Sequence, residues 1–269
     1  MLIDTHCHLD AAEFDADRPE VIEAAERAGV RSILIPAVDA RNFSVVRSLA
    51  HEIKGGAYAL GIHPMYVRHA QPQDLVSLRE AVEQSMGDPR FVAIGEIGLD
   101  FFVQDIATGE ARERQEYFYA AQLDLAEEFG LPALLHVRRS QDVLLKHLRK
   151  RGRIGGMAHA FNGSLQQAQQ FVDLGFALGM GGAMTYARAL QIRRIATDMP
   201  LDALVLETDA PDIPPSWLVV DRRNTPGEVA RIADALAVLR GMDRQQVIDS
   251  TGAAALRVCP RLAHMMSSH

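Results

Sequence analysis

Lysine is nearly absent. The chain has Lys54, Lys146 and Lys150, all in or beside stretches of helical periodicity. No lysine is placed at a strand end to form a Schiff base or a carbamylated bridge between metal ions, which argues against a lysine-dependent aldolase. Cysteine is scarcer still. Cys7 and Cys259 make neither a disulfide framework nor a zinc-finger spacing, and point to a reducing compartment. Basic charge is also short: Lys plus Arg number 28 against 35 Asp plus Glu, a net charge of −7. A broad basic face for duplex DNA is disfavoured. Phosphate chemistry in a metal-charged pocket is not, because a bound dication dominates its local field. No apolar run reaches the roughly 20 residues of a membrane span, and Leu174–Ala187, the longest uncharged run, is broken by glycines. The opening Met1–Asp10 shows no basic-then-apolar leader pattern. A cytoplasmic protein without a membrane partner is expected. No G-x-G-x-x-G follows the first apolar run, no G-x-S-x-G elbow exists, and Gly179-Met180-Gly181-Gly182 lacks a P-loop lysine.

Apolar residues make up 48% of the chain, enough for a large core. Short, near-continuously apolar runs recur: Leu2–His6, Ser32–Val38, Ala57–His63, Phe91–Glu96, Ala133–Val137, Gly156–Ala160, Phe176–Met180 and Ala203–Glu207. Such runs suit parallel strands buried on both faces. Between them, Arg18–Ala28, Phe43–Glu52, Leu75–Met86, Arg112–Phe129 and Leu165–Leu174 repeat apolar residues three and four apart. Gly29, Gly130 and Gly175 stand where helix C-caps belong, and Pro72 with Asp74 suits a helix start. The alternation predicts an α/β fold, a (β/α)8 TIM barrel over residues 1–269, with extra C-terminal helices from Asp243–Val258 and a frayed tail at Met265–His269. A doubly wound sheet is the runner-up.

Half of the ten histidines, namely His51, His69, His147, His264 and His269, read as surface residues. The others fall at strand ends: His6 and His8 on the first strand, His63 on the third, His136 on the fifth and His159 on the sixth. Glu96 ends the fourth, and Glu207 and Asp209 end the eighth. The carboxyl ends of barrel strands converge on one mouth, where barrel enzymes do their chemistry. His6 and His8 share strand parity and can deliver two nitrogens to one metal ion, with Asp4 of the same parity placed to orient one of them. Glu96, apolar on one side and flanked by glycines, reads as a buried carboxylate able to bridge two ions. Asp209 can bind metal and take a proton from water, while Glu207 lies deeper and pairs with a neighbouring donor. Arg138, in phase with His136, either reaches a phosphate or faces solvent. Cys7, of opposite parity, packs outward. The basic run Arg149–Arg153 reads as a solvated helix end, and Trp217 either stacks on a base or anchors its loop.

Asp4-Thr5-His6-Cys7-His8-Leu9, Gly95-Glu96-Ile97-Gly98-Leu99-Asp100, His136-Val137-Arg138, His159-Ala160-Phe161-Asn162-Gly163 and Glu207-Thr208-Asp209-Ala210-Pro211 together resemble the TatD family of metal-dependent deoxyribonucleases, nearest its bacterial YjjV-like branch. The resemblance runs along nearly the whole chain. It implies a TIM barrel with two divalent ions, Mg²⁺ or Mn²⁺ in use and Zn²⁺ or Ni²⁺ also accommodated. It assigns His6, His8, Glu96 and Asp209 to one ion and Glu96, His136 and His159 to the other, with His63 beside them. It also implies hydrolysis of DNA phosphodiesters, with 3′–5′ exonuclease action on DNA ends or single strands. Asn162 stands where a serine is common in the family, which bears on substrate choice.

Asp209 and Glu96 are therefore the candidate catalytic residues, and His63 and Arg138 the candidate substrate contacts. A metal-dependent esterase, lactonase or amidohydrolase is the alternative within enzymes. A silent barrel kept as a scaffold is the alternative outside them, and would be marked by a lost ligand residue; none is lost. A monomer is expected.

Overall fold

The computed structural model describes residues 1–267. Eight strands, all parallel, pair in sequence order into one sheet: β1 (Leu2–Asp4), β2 (Val30–Pro36), β3 (Gly56–Leu60), β4 (Phe91–Asp100), β5 (Ala133–Arg138), β6 (Gly156–His159), β7 (Phe176–Met180) and β8 (Leu204–Leu206). Seven helices make the crossovers: α1 (Arg18–Arg27), α2 (Phe43–Glu52), α3 (Pro72–Ser85), α4 (Gly109–Phe129), α5 (Gln141–Leu148), α6 (Leu165–Asp173) and α7 (Leu190–Asp198). Then follow α8 (Val229–Arg240), α9 (Arg244–Val258) and α10 (Pro260–Ser267). A bridge from Cys7 to Ala210 and the bond from Thr5 N–H to Leu206 O join the last strand to the first. The expected TIM barrel is the observed one.

Two apolar layers follow from the pleat. Leu34, Ala59, Leu134, Met157 and Val205 fill the barrel interior, and Ala255, Leu262 and Met265 of α9 and α10 close its lower end. The opposite faces of the strands pack on the surrounding helices through Ile33, Leu60, Leu135 and Leu178. The frayed tail is corrected here: α10 runs to Ser267, because Leu262 and Met265, one turn apart, both fit the barrel floor. Residues 268–269 of that expectation lie outside the described residues. Among the described residues, no helix is long and apolar enough to cross a membrane.

Strand ends differ from the sequence reading in a way that matters. Strands β1, β3 and β8 stop at Asp4, Leu60 and Leu206, so His6, His8, His63, Glu207 and Asp209 lie on the loops just beyond. Strand β4 instead runs on to Asp100, and β5 to Arg138.

Candidate metal centre

Glu96 points inward because β4 is irregular. Ile94 pairs with Ala133 but Ile97 pairs with Leu135, so two residues of β4 span one of β5. Ile94, Ile97 and Leu99 all face the outer core, leaving Glu96 and Asp100 inside. Gly98 makes the close approach possible: its φ is +142°, and a Cβ there would lie 2.2 Å from His136 O. His136 and His159 are neighbours in the β5–β6 register. Asp209 holds φ +59°, a left-handed conformation that costs a non-glycine residue about 1–2 kcal/mol. Its N–H donates to His6 O at 2.8 Å, which ties the eighth loop to the first.

The donors converge on Glu96. Glu96 Oε2 lies 3.1 Å from His6 Nε2 and 3.3 Å from His8 Nε2. Glu96 Oε1 lies 2.9 Å from His136 Nδ1 and 3.3 Å from His63 Nε2. Asp209 Oδ1 is 3.4 Å from His159 Nε2, 3.6 Å from His6 Nε2 and 3.7 Å from His8 Nε2. Three groups of ligand atoms are each compact enough to hold one ion: His6–His8–Asp209, His6–Glu96–His159 and His63–Glu96–His136. All six residues expected to bind metal therefore meet. Within the cluster His159 stacks on His6 at 3.7 Å between ring centroids, and His63 Nε2 lies 3.0 Å from His136 Nδ1.

This donor set fits divalent cations. His136 Nε2 lies 3.0 Å from Asp100 Oδ2 and carries the N–H, so the Nδ1 lone pair faces Glu96 Oε1. A lone pair and a carboxylate oxygen at that distance repel unless a proton or cation lies with them. The Nε2 atoms of His6 and His8 are 3.3 Å apart beside Glu96 Oε2, and one proton can link only one such pair. Cations satisfy every pair at once. With protons alone the same crowding appears as shifted titration. Burial would lower His8, but the Glu96 and Asp209 carboxylates outweigh it and push it up to about 9. Burial would raise Asp209, yet the surrounding imidazoles hold it down at about 2. Glu96 lies well below the usual carboxylate range for the same reason.

Behind the donors stands a ring of fixing contacts. Asp100 was not among the sequence candidates, although its phase with Glu96 in Gly95–Asp100 was a signal. Its Oδ1 accepts from Phe102 N–H at 2.8 Å and Val103 N–H at 3.0 Å while Oδ2 holds His136. Glu207 Oε1 accepts from Ala160 N–H at 2.6 Å and lies 3.1 Å from His159 Nδ1, the pairing expected of it. Asp4 corrects an expectation. It touches no imidazole; its Oδ2 accepts from Thr208 Oγ1 at 2.6 Å and its Oδ1 from the Thr208 and His6 N–H groups. The reason is that β1 ends at Asp4, so strand phase does not extend to His6. Burial raises the Asp4 carboxyl to about 8.

His63 has a defined tautomer. Its Nδ1 accepts from Met65 N–H at 3.1 Å, and burial lowers its pKa to about 4. The neutral ring therefore carries its proton on Nε2, which points at His136 Nδ1 3.0 Å away.

Above these groups opens a cleft of about 1130 Å³. Arg138 lines it, half exposed, 3.8 Å from Asp100 Oδ2 and 3.9 Å from the Phe102 ring centroid. Asn162 lines it too. Trp217 is a loop anchor: Nε1 donates to Glu228 Oε2 at 2.6 Å, and the ring packs on the core. Arg151 of the basic run is taken up by Asp124 and two carbonyls. Cys7 is buried in the outer core as expected.

A family model described as TatD related DNase matches residues 3–259. The metal-dependent hydrolase YjjV of Escherichia coli K12 is 41% identical over 239 residues, spanning 88% of this chain and 90% of that protein. The human deoxyribonuclease TATDN3 is 30% identical over 271 residues, spanning 98% and 97%. The crystal structure of E. coli YjjV, a TatD homologue, superposes with a TM-score of 0.89 at 37% identity, covering 96% of this chain and 98% of that one.

Proposed function

Because the chain belongs to the TatD family of metal-dependent hydrolases, we propose that it cleaves phosphodiester bonds in DNA ends or single strands, as a 3′–5′ exonuclease, with residues 1–269 acting as one unit. The observation that carries this reading is Glu96, whose two oxygens each face a different set of imidazoles. That arrangement suits a carboxylate that two cations would share. His6, His8 and Asp209 would hold one, His136 and His159 would complete the holding of the other, and Glu96 would join them. When bound, such ions supply Lewis acidity, lowering the pKa of a water and neutralising phosphoryl oxygens.

The residues of the chain divide the remaining work. Asp209 is ionised and faces the cleft, so it orients the attacking water and accepts its proton. His63, whose Nε2–H faces His136 Nδ1 and Glu96 Oε1, would be released to donate to the phosphoryl or leaving oxygen when cations take up those acceptors. Arg138, braced on Phe102, meets a non-bridging phosphate oxygen with its fork of donors. Asp100 and Glu207 fix the ring orientation of His136 and His159. The deoxyribonuclease name of the human relative supports a DNA substrate, and the absence of a bridging lysine weighs against a carbamate-dependent amidohydrolase.

The test is turnover of the purified protein on single-stranded DNA against a panel of carboxylic esters, lactones and amides, with Mg²⁺, Mn²⁺ and Zn²⁺ compared. Hydrolysis of the DNA well above the panel is expected. Efficient lactone or ester turnover with inert DNA would overturn the substrate assignment.

A further inference from the structure

The cleft carries opposite charge on opposite sides. The end of β5 and the loops after β4 and β5 bring Phe102, Arg138 and Arg139 to it, and the loops after β1 and β8 bring Asp10, Glu13 and Asp212. Strands running in sequence order around one barrel place these two pairs of loops across the axis from each other. The arginines near the acidic side are turned away from the cleft. Arg18 donates to Leu9 O, Ala11 O and Asp15, and Arg223 to Glu13 O and Asp17. On the other side, the guanidiniums of Arg138 and Arg139 lie 3.9 and 4.7 Å from the Phe102 ring centroid. The carboxylate nearest Arg138, Asp100, is already engaged by His136 and two N–H groups.

Asp10 is held in place. Its Oδ2 accepts from Asn42 Nδ2 at 2.8 Å, and Asn42 Oδ1 accepts from the Val38 and Asp39 N–H groups. Its Oδ1 is buried and has no donor. Asp10 borders the cleft beside Glu13 and Asp212. A phosphate arriving there would bring only acceptors and like charge.

We propose that the cleft is directional for a nucleotide strand: the strand runs out over Phe102, Arg138 and Arg139, and the acidic side formed by Asp10, Glu13 and Asp212 receives only a terminal nucleoside hydroxyl. This rests on the phosphodiester reading above. Past the cleaved phosphate there is then room for a neutral end and none for a further phosphate. Phe102 and the two arginines give the departing strand base-stacking and phosphate contacts together.

The experiment uses two short single-stranded oligodeoxynucleotides of one sequence, one ending in a 3′-hydroxyl and the other in a 3′-phosphate, in Mn²⁺. The wild-type protein should remove the terminal nucleotide from the hydroxyl form at least about tenfold faster, the scale of a few like charges at close range. Asp10→Asn, and separately Glu13→Gln with Asp212→Asn, should bring that ratio to within about threefold. The ratio is read inside each variant, so a general loss of folding or activity cancels. Equal wild-type rates on the two ends, or a ratio unmoved in both variants, would overturn the directional cleft and leave the hydrolase reading standing. Failure to cut either strand would overturn both.

Discussion

Asp209 and Glu96 sit 13% and 1% exposed, and the difference suits the separate roles proposed for them. Asp209 borders the cleft; Glu96 is enclosed by imidazoles. Asp209→Asn keeps size and an oxygen donor but cannot take a proton efficiently, and general-base catalysis contributes about 10²–10⁴-fold. We expect it to keep much of its metal and lose at least about a hundredfold in kcat. Glu96→Gln removes the carboxylate shared by both sides, so metal stoichiometry itself should fall. Elemental analysis and activity in saturating Mn²⁺ distinguish the two variants; an Asp209→Asn protein within a few-fold of wild type would move the proton acceptor elsewhere, with His63 next in line. Arg138→Ala should raise KM or lower kcat on phosphate diesters while metal content stays constant. A fall in occupancy would mean that Arg138 supports the centre through Asp100 and does not serve the substrate.

At the scale of elements, the centre depends on strands that let side chains close in. Strand β7 contributes no donor, but a Cβ at Gly179 would lie 2.1 Å from Glu207 Oε2. Glu207 is buried and held by Ala160 N–H, so it cannot swing aside cheaply. Gly179→Ala should therefore cost about 1–3 kcal/mol of stability and loosen His159, measured as a lower urea midpoint together with weaker Mn²⁺ retention. An unchanged midpoint with wild-type metal content would show that Glu207 has room to spare. Much of this was legible in the sequence. Near-continuous apolar runs mark parallel strands, and the polar residues that end them collect at one mouth, which is why His6, His8, His63, His136, His159, Glu96 and Asp209 could be named together. What failed were inferences from strand phase past a strand end. Asp4 left its expected partner because β1 is short, and the β4 irregularity that turns Glu96 and Asp100 inward is a matter of pairing with β5, which a single chain of letters does not display. The helical tail was missed because the barrel floor that buries Met265 is built from distant strands.

For the molecule as a whole, stability should follow the carboxylates fixed on both ends of the barrel. Asp88, far from the cleft, is buried; burial would raise its pKa, but hydrogen bonds from His51, Arg90 N–H and Tyr58 outweigh it and hold it low. A carboxyl whose folded pKa is depressed contributes stability above its unfolded pKa, near 4, and loses it as pH falls through the folded value. The urea midpoint of the wild type should therefore drop on going from about pH 5 to pH 3, and drop less steeply in Asp88→Asn. Parallel slopes would remove Asp88 from the account. Bound cations should stabilise the same fold by mass action, about 2.7 kcal/mol at a hundredfold excess over Kd, so chelation should lower Tm.

A phosphodiester hydrolase of the proposed kind requires metal held by Glu96 and its surrounding imidazoles. The most direct test is to strip the protein with a chelator, return Mn²⁺ stepwise, and follow hydrolysis of single-stranded DNA and bound metal together. No turnover is expected in the stripped protein, with activity that climbs with occupancy to about two ions per chain. Sustained DNA hydrolysis in the stripped protein, or full occupancy without any hydrolysis, would contradict it.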